Sequence, residues 1–179
     1  PKSDFAVLMT TFVLTVIFDL TIAIEIGLLL AVVLFLKRTS ESVEIRHFHD
    51  EIDPNQELDI QLNSEEKLSI PEGVDVYEID GPYFFGIANK FEEVMSRISQ
   101  KPKVRIIRMR RVPFMDSTGI HNLEVLIEQS QKEGVQIVLS GVNPQVRKAL
   151  EKAGFTKLIP SENICSNINM ALERAKELI

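Results

Sequence analysis

Val112-Pro113-Phe114-Met115-Asp116-Ser117-Thr118-Gly119-Ile120 is the stretch on which the fold turns. Before it lies Lys103 to Met109, a run with strand character. After it, Ile120, Leu123, Leu126 and Ile127 recur at the spacing of a buried helical stripe. A strand that passes into a helix through a short turn is half of a βα unit. Asp116 stands where a carboxylate can accept N–H groups from the first helical turn. Ser117 and Thr118 then fall at the positive end of the helix dipole, which attracts anions and phosphate.

Working outward, the same alternation continues in both directions. Val74 to Ile79 reads as a strand, with a second short one at Tyr83 to Phe85 beyond Gly81-Pro82. Ile87, Phe91, Val94, Met95 and Ile98 follow helical spacing. On the other side, Val135 to Leu139 is a strand. Asn143 can cap the next helix, Pro144 suits its first position and Gly154 its exit. Thr156 to Ile159 is expected as a last short strand. Ile164, Ile168, Leu172, Ala175 and Leu178 mark a terminal helix. The prediction is an α/β domain over residues 70–179, with a mixed, mostly parallel sheet joined by right-handed crossovers and packed by helices.

Upstream the composition changes. Phe5 to Leu36 is almost entirely apolar, with Asp19 and Glu25 as its charges. A signal peptide is excluded by the length of this run and by Lys37-Arg38 at its end. One helix over the whole run would measure roughly 48 Å, and Asp19 would lie near the centre of a bilayer about 30 Å thick. Two short helices, about Phe5 to Phe18 and Thr21 to Leu36, avoid both problems and leave Asp19 to cap the second. Neither is then long enough to span alone, so both would pack inside a larger membrane protein. Gly27 and Ala31 would allow close helix contact. Lys37 and Arg38 predict a cytoplasmic location for the residues C-terminal to them. The opening at Pro1 suggests a piece of a longer protein. Residues 1–38 are thus read as the end of a transmembrane region. Residues 39–69 are read as an acidic linker, mobile from Asp50 to Ser69.

The net charge of −6 argues against nucleic acid as a partner. Cys165 is the single cysteine, so no disulfide forms within the chain. His47 and His49, one residue apart, have a spacing that could suit a metal, but they are read as solvated loop histidines, and no metal or other cofactor is expected. No catalytic constellation stands out, so the chain is not read as an enzyme. Arg105, Arg108, Arg110 and Arg111 raise the idea of a nucleotide or lipid-headgroup site, against the commoner reading of solvated or Glu-paired charge.

The segment around Asp116 resembles the signature loop of STAS domains, which occur in SulP-type anion permeases and in anti-sigma-factor antagonists. Gly81-Pro82-Tyr83-Phe84-Phe85-Gly86-Ile87-Ala88-Asn89-Lys90-Phe91 is similar to the first strand–helix junction of the permease branch. Arg108-Met109-Arg110-Arg111-Val112-Pro113 is similar to its lead into the loop. Leu14-Thr15-Val16-Ile17-Phe18-Asp19-Leu20-Thr21, with Glu25 and Gly27, resembles the last membrane hairpin of those permeases.

That resemblance implies the C-terminal part of a secondary transporter for sulfate, bicarbonate or a dicarboxylate, with the anion site upstream. It implies a multi-pass inner-membrane protein, lipid contact, a homodimer and a cytoplasmic protein partner for the STAS domain. Its signature loop would be Asp116, Ser117, Thr118 and Gly119. Ser117 falls on the serine phosphorylated in the antagonists, although Ile120-His121-Asn122-Leu123 is bulkier than their usual sequence. The alternative is a soluble phospho-switch of the anti-sigma-antagonist type. Asp19 and Glu25 as proton relays weigh against the plainer reading of a helix cap and an interfacial carboxylate.

Overall fold

A computed structural model describes residues 2–41, 43–52, 67–84, 87–96 and 101–179. The chain divides into two compact units, residues 1–42 and 43–179.

In the first unit, α1 (Lys2–Ile17) and α2 (Leu20–Glu41) are separated at Phe18-Asp19. The Asp19 carboxylate accepts from the Thr21 and Ile22 amides at 2.7 and 3.0 Å, capping α2 as a side-chain oxygen does at a helix start. Ala23 and Gly27 are buried, and a Cβ at Gly27 would run into the Thr11 side chain. Small residues on α2 therefore face α1. Arg38 reaches Asp4 at 3.1 Å. The outer faces present Phe5, Phe12, Leu28 and Phe35, each more than half exposed.

The expectation that neither helix could span a bilayer is corrected for α2. It does not stop at Leu36 but continues through Lys37 and Arg38, giving 22 residues. At about 1.5 Å per residue that is roughly 33 Å, enough for a hydrocarbon core. The stretch Leu20–Thr39 is long and apolar enough to cross. The 16 residues of α1 are not.

In the second unit a five-stranded sheet has the order β1 (Glu44–Phe48), β4 (Val74–Asp80), β5 (Val104–Arg111), β6 (Gln136–Ser140), β7 (Ile164–Cys165). β1 is antiparallel to β4, and the other neighbours are parallel. A small separate pair joins β2 (Glu51–Ile52) to β3 (Leu68–Ser69). Helices α3 (Ile87–Ser96), α4 (Ser117–Lys132) and α5 (Pro144–Lys152) pack on one face, around Tyr77, Ile79, Ile107, Met109, Ile137 and Leu139. Helix α6 (Ile168–Leu178) packs on the other, over Val74, Val76, Ile106 and Val138. The two sets alternate along each strand, as the pleat requires. β4 and β5 are therefore buried on both faces along most of their length, with Asp75, Glu78, Arg105 and Arg108 among the buried residues.

Four sequence expectations are corrected here. The domain does not begin at residue 70, because β1 lies within the stretch read as linker and forms the edge of the main sheet. Most of the segment expected to be mobile, residues 53–66, lies outside the described residues. Tyr83 makes an isolated parallel bridge with Met115 rather than a strand, and Phe85 lies outside the described residues, as does Ile98. Thr156 to Ile159 is not a strand: Gly154 turns the chain at φ 81°, and Phe155–Lys157 form a 3-10 turn that buries Phe155. The last strand is β7 instead, so Ile164 pairs with Leu139 and does not belong to the terminal helix.

Candidate functional site

The turn between β5 and α4 is held from three sides. Asp116 has extended backbone (φ −89°, ψ 175°), and its Oδ1 accepts from the Gly119 amide at 2.6 Å. This places a carboxylate on orphan donors of the first turn. Tyr83 lies alongside: its amide donates to the Phe114 carbonyl at 3.1 Å, and its carbonyl accepts from the Asp116 amide at 3.4 Å. Asn143, at the start of α5, accepts from the Val146 amide at 2.8 Å. It also donates through Nδ2 to the carbonyls of Val112 (2.7 Å) and Pro113 (3.3 Å). One amide side chain thus caps α5 and pins the loop.

Ser117 and Thr118, the first residues of α4, are exposed, and Gly119 behind them is buried. Phe114, three residues before Ser117, is 41% exposed, with its ring edge-on to Phe84 at 4.8 Å. His121 is an exposed helix residue 3.5 Å from Glu124. Asp116, Ser117, Thr118 and Gly119 thus form one contiguous capped turn. Tyr83 and the second role of Asn143 were not legible, because both contacts are made across the fold. Burial raises the Tyr83 phenol well above its ordinary range. Asp116→Ala is expected to cost roughly 0.5–2 kcal/mol through loss of the cap. Denaturant unfolding of the domain measures this, and an unchanged midpoint would contradict the capping role.

The arginines separate into different roles. Arg105 is buried, donates to Ser130 at 2.7 Å and lies 5.7 Å over the Tyr77 ring. Arg108 is buried with Glu78 at 3.2 Å. Arg111 pairs with Asp80 at 2.7 Å, and Arg110 is exposed. The Glu-paired reading thus holds for Arg108, whereas Arg105, buried beside Ser130 and Tyr77, corrects the solvated one. Nor do these side chains gather into one headgroup site: successive strand residues point to opposite faces.

The two histidines are not loop residues in isolation. His47 belongs to β1, opposite Tyr77, and its ring lies 4.9 Å from that phenol ring. His49 lies one residue past Phe48, the last β1 residue, which pairs with Val76 of β4. Asp75 Oδ1 is 3.3 Å from His47 Nε2 and 3.0 Å from His49 Nδ1. The Asp75 hydrogen bond, reinforced by its charge and that of Asp50, raises the His49 imidazole above its usual value against a smaller desolvation effect. Burial pushes the Tyr77 phenol up to about 12.

Among known proteins, the description "STAS domain" fits residues 67–171. The SulP transporter STAS domain of Vibrio cholerae is 39% identical, with TM-score 0.55, over 61% of this chain and 85% of that one. The bicarbonate transporter BicA of Synechocystis is 27% identical over 174 residues, 94% of this chain and 30% of the transporter. The murine Solute Carrier 26 family member A9 anion transporter shares the fold across 99% of this chain, at TM-score 0.72 and 18% identity, over 29% of its own length. The chain thus spans under a third of the whole transporters it matches.

Proposed function

The chain belongs to the STAS domain family, in the branch attached to SulP-type transporters, and on that premise we propose that it is the C-terminal part of a secondary anion transporter. In this reading α1 and α2 end the membrane region and residues 43–179 regulate or assemble the transporter from the cytoplasm. The carried anion is sulfate, bicarbonate or a dicarboxylate, held by upstream helices rather than by this chain. The whole transporter is a multi-pass homodimer in contact with lipid, its role is transport rather than catalysis, and its STAS surface docks a cytoplasmic protein.

The observation that supports this reading is the succession of an outward-apolar helix pair and a STAS domain in one chain. A soluble phospho-switch has no use for exposed Phe5, Phe12, Leu28 and Phe35, because each would keep a large apolar surface in water. The test is isotope uptake by cells producing the whole transporter. Accumulation of one of the three anions, several-fold above cells lacking it, is expected. Uptake of none of them would overturn the proposal.

Ser117 is proposed as a regulatory phosphorylation site. A phosphate there would gain about 0.3–1 kcal/mol from the α4 N-terminus, opposed to a similar extent by the Asp116 carboxylate. The fold would then survive, and the altered feature would be the exposed surface of Phe114, Ser117 and Thr118. Mass spectrometry of the protein from its own cells is expected to find phosphate at Ser117. Ser117→Ala and Ser117→Asp are expected to change uptake in opposite directions. No phosphate, with both variants transporting normally, would leave Ser117 a plain helix-start residue.

A further inference from the structure

We propose that His47, His49 and Asp75 form a site for a divalent transition-metal ion of the zinc class. His47 Nε2, His49 Nδ1 and an Asp75 carboxylate oxygen all lie within 4.8 Å of one another. Tetrahedral zinc holds nitrogen and oxygen ligands at about 2.0–2.2 Å, which sets neighbouring ligand atoms roughly 3.3–3.6 Å apart. The two histidine–aspartate distances, 3.3 and 3.0 Å, are close to that edge. The side chain of His49 is about half exposed, so it can turn to close the third edge.

The geometry arises from strand pairing. His47 in β1 and His49, just past the end of that strand, are two residues apart, and both reach Asp75 of the neighbouring β4. The His47 ring is fixed against Tyr77, so one ligand is already oriented.

A second observation is independent of these distances. Asp75 is 2% exposed, and its Oδ2 has no hydrogen-bond partner. His47 Nε2 is likewise buried and makes no hydrogen bond. Buried polar atoms are nearly always satisfied, and a carboxylate least tolerates being left without a donor or a cation. An ion at this corner would engage His47 Nε2 directly, and Asp75 Oδ2 through bidentate binding or a turn of the carboxylate. Arg105, on the next strand opposite Asp75, opposes a second positive charge, while Asp50 near His49 favours one. Two imidazoles with one carboxylate select zinc, nickel or copper over magnesium or calcium, which prefer oxygen ligands. The fourth position would take water on the His49 side. The bound ion would fasten the edge strand β1 to β4, at the opposite end of β4 from Gly81 and the Asp116 loop.

The test uses the whole 179-residue chain in detergent micelles, purified without a polyhistidine tag. Zinc chloride is titrated against a chromophoric chelator, and hydrogen exchange is followed over Glu44–Phe48. One equivalent of zinc and slower exchange in β1 are expected. His49→Ala and Asp75→Asn should each weaken binding by at least about tenfold, as ligand-sphere changes do. His49 is exposed, so its variant keeps the readout valid even where Asp75→Asn fails to fold. His121→Ala and Cys165→Ser should bind as the unaltered chain does. Absence of binding, unaltered affinity in His49→Ala, or loss confined to His121→Ala or Cys165→Ser would overturn the site.

Discussion

Gly119→Ala is expected to destabilise the STAS unit by roughly 1–3 kcal/mol, although alanine is the better helix former. Position 119 lies in the first turn of α4, where replacing glycine by alanine ordinarily gains about 0.5–1 kcal/mol. Here the gain is outweighed. A Cβ at this position would collide with the Tyr83 backbone carbonyl and press on its ring. That carbonyl cannot swing aside, because it accepts from the Asp116 amide while the Tyr83 amide donates to Phe114. Relief must come from displacing the Gly81–Tyr83 segment or the helix start, and both carry the loop. Thermal unfolding of the variant measures the sign directly. A stabilised Gly119→Ala would contradict the close approach of Tyr83 to α4.

A larger effect is expected from cutting the chain at the apparent start of the domain. Removing residues 1–69 deletes β1, and with it the Val43 and Ile45 side chains that pack on Tyr77 and Ile79. Full burial of Val43 contributes roughly 1.5–3 kcal/mol, and partly buried Ile45 adds less, against a total of about 5–15 kcal/mol for a typical domain. The cut also leaves β4 as a bare edge, open to pairing with another chain. The expected outcome is that residues 43–179 unfold in one cooperative transition, whereas residues 70–179 aggregate or melt without one. Gel filtration and circular dichroism distinguish the two. Equal melting temperatures would mean that β1 is an accessory and not part of the core.

That contrast explains what was legible in the amino-acid sequence. The caps at Asp116 and Asn143 and the exit at Gly154 are local devices, because each acts over about three residues of the same chain. The break at Asp19 was legible for the same reason, since a charge in an apolar run marks a turn. β1 was not. Glu44-Ile45-Arg46-His47-Phe48 carries only a weak alternation amid charge, and its pairing with β4 bridges some thirty residues. β7 has two residues, too few to show a period, so the apolar run before it, Thr156 to Ile159, drew the strand assignment.

The sites divide along the same line. Asp116 to Gly119 are contiguous in the chain, so they read together as one segment. The histidine corner needs Asp75, which reads in isolation as a charge within a strand and meets His47 and His49 only through the register. Tyr83 and Asn143 grip the turn between β5 and α4 across gaps of about thirty residues, and nothing local announces either contact. Both buried arginines, Arg105 and Arg108, find their partners through sheet or helix packing, so sequence alone could name a glutamate partner for Arg108 only as a class and none for Arg105.

The proposed function requires one topology: α1 and α2 lie in a membrane, and residues 43–179 lie on its cytoplasmic side. Protease access to the whole chain, produced in bacterial cells, tests this directly. The expected result is that the chain stays with the membranes through alkaline carbonate extraction. Residues 43–179 should resist protease added to spheroplasts and be cut in inverted membrane vesicles. A chain recovered in the soluble fraction, or one whose STAS unit is cut from outside the spheroplast, would contradict that topology.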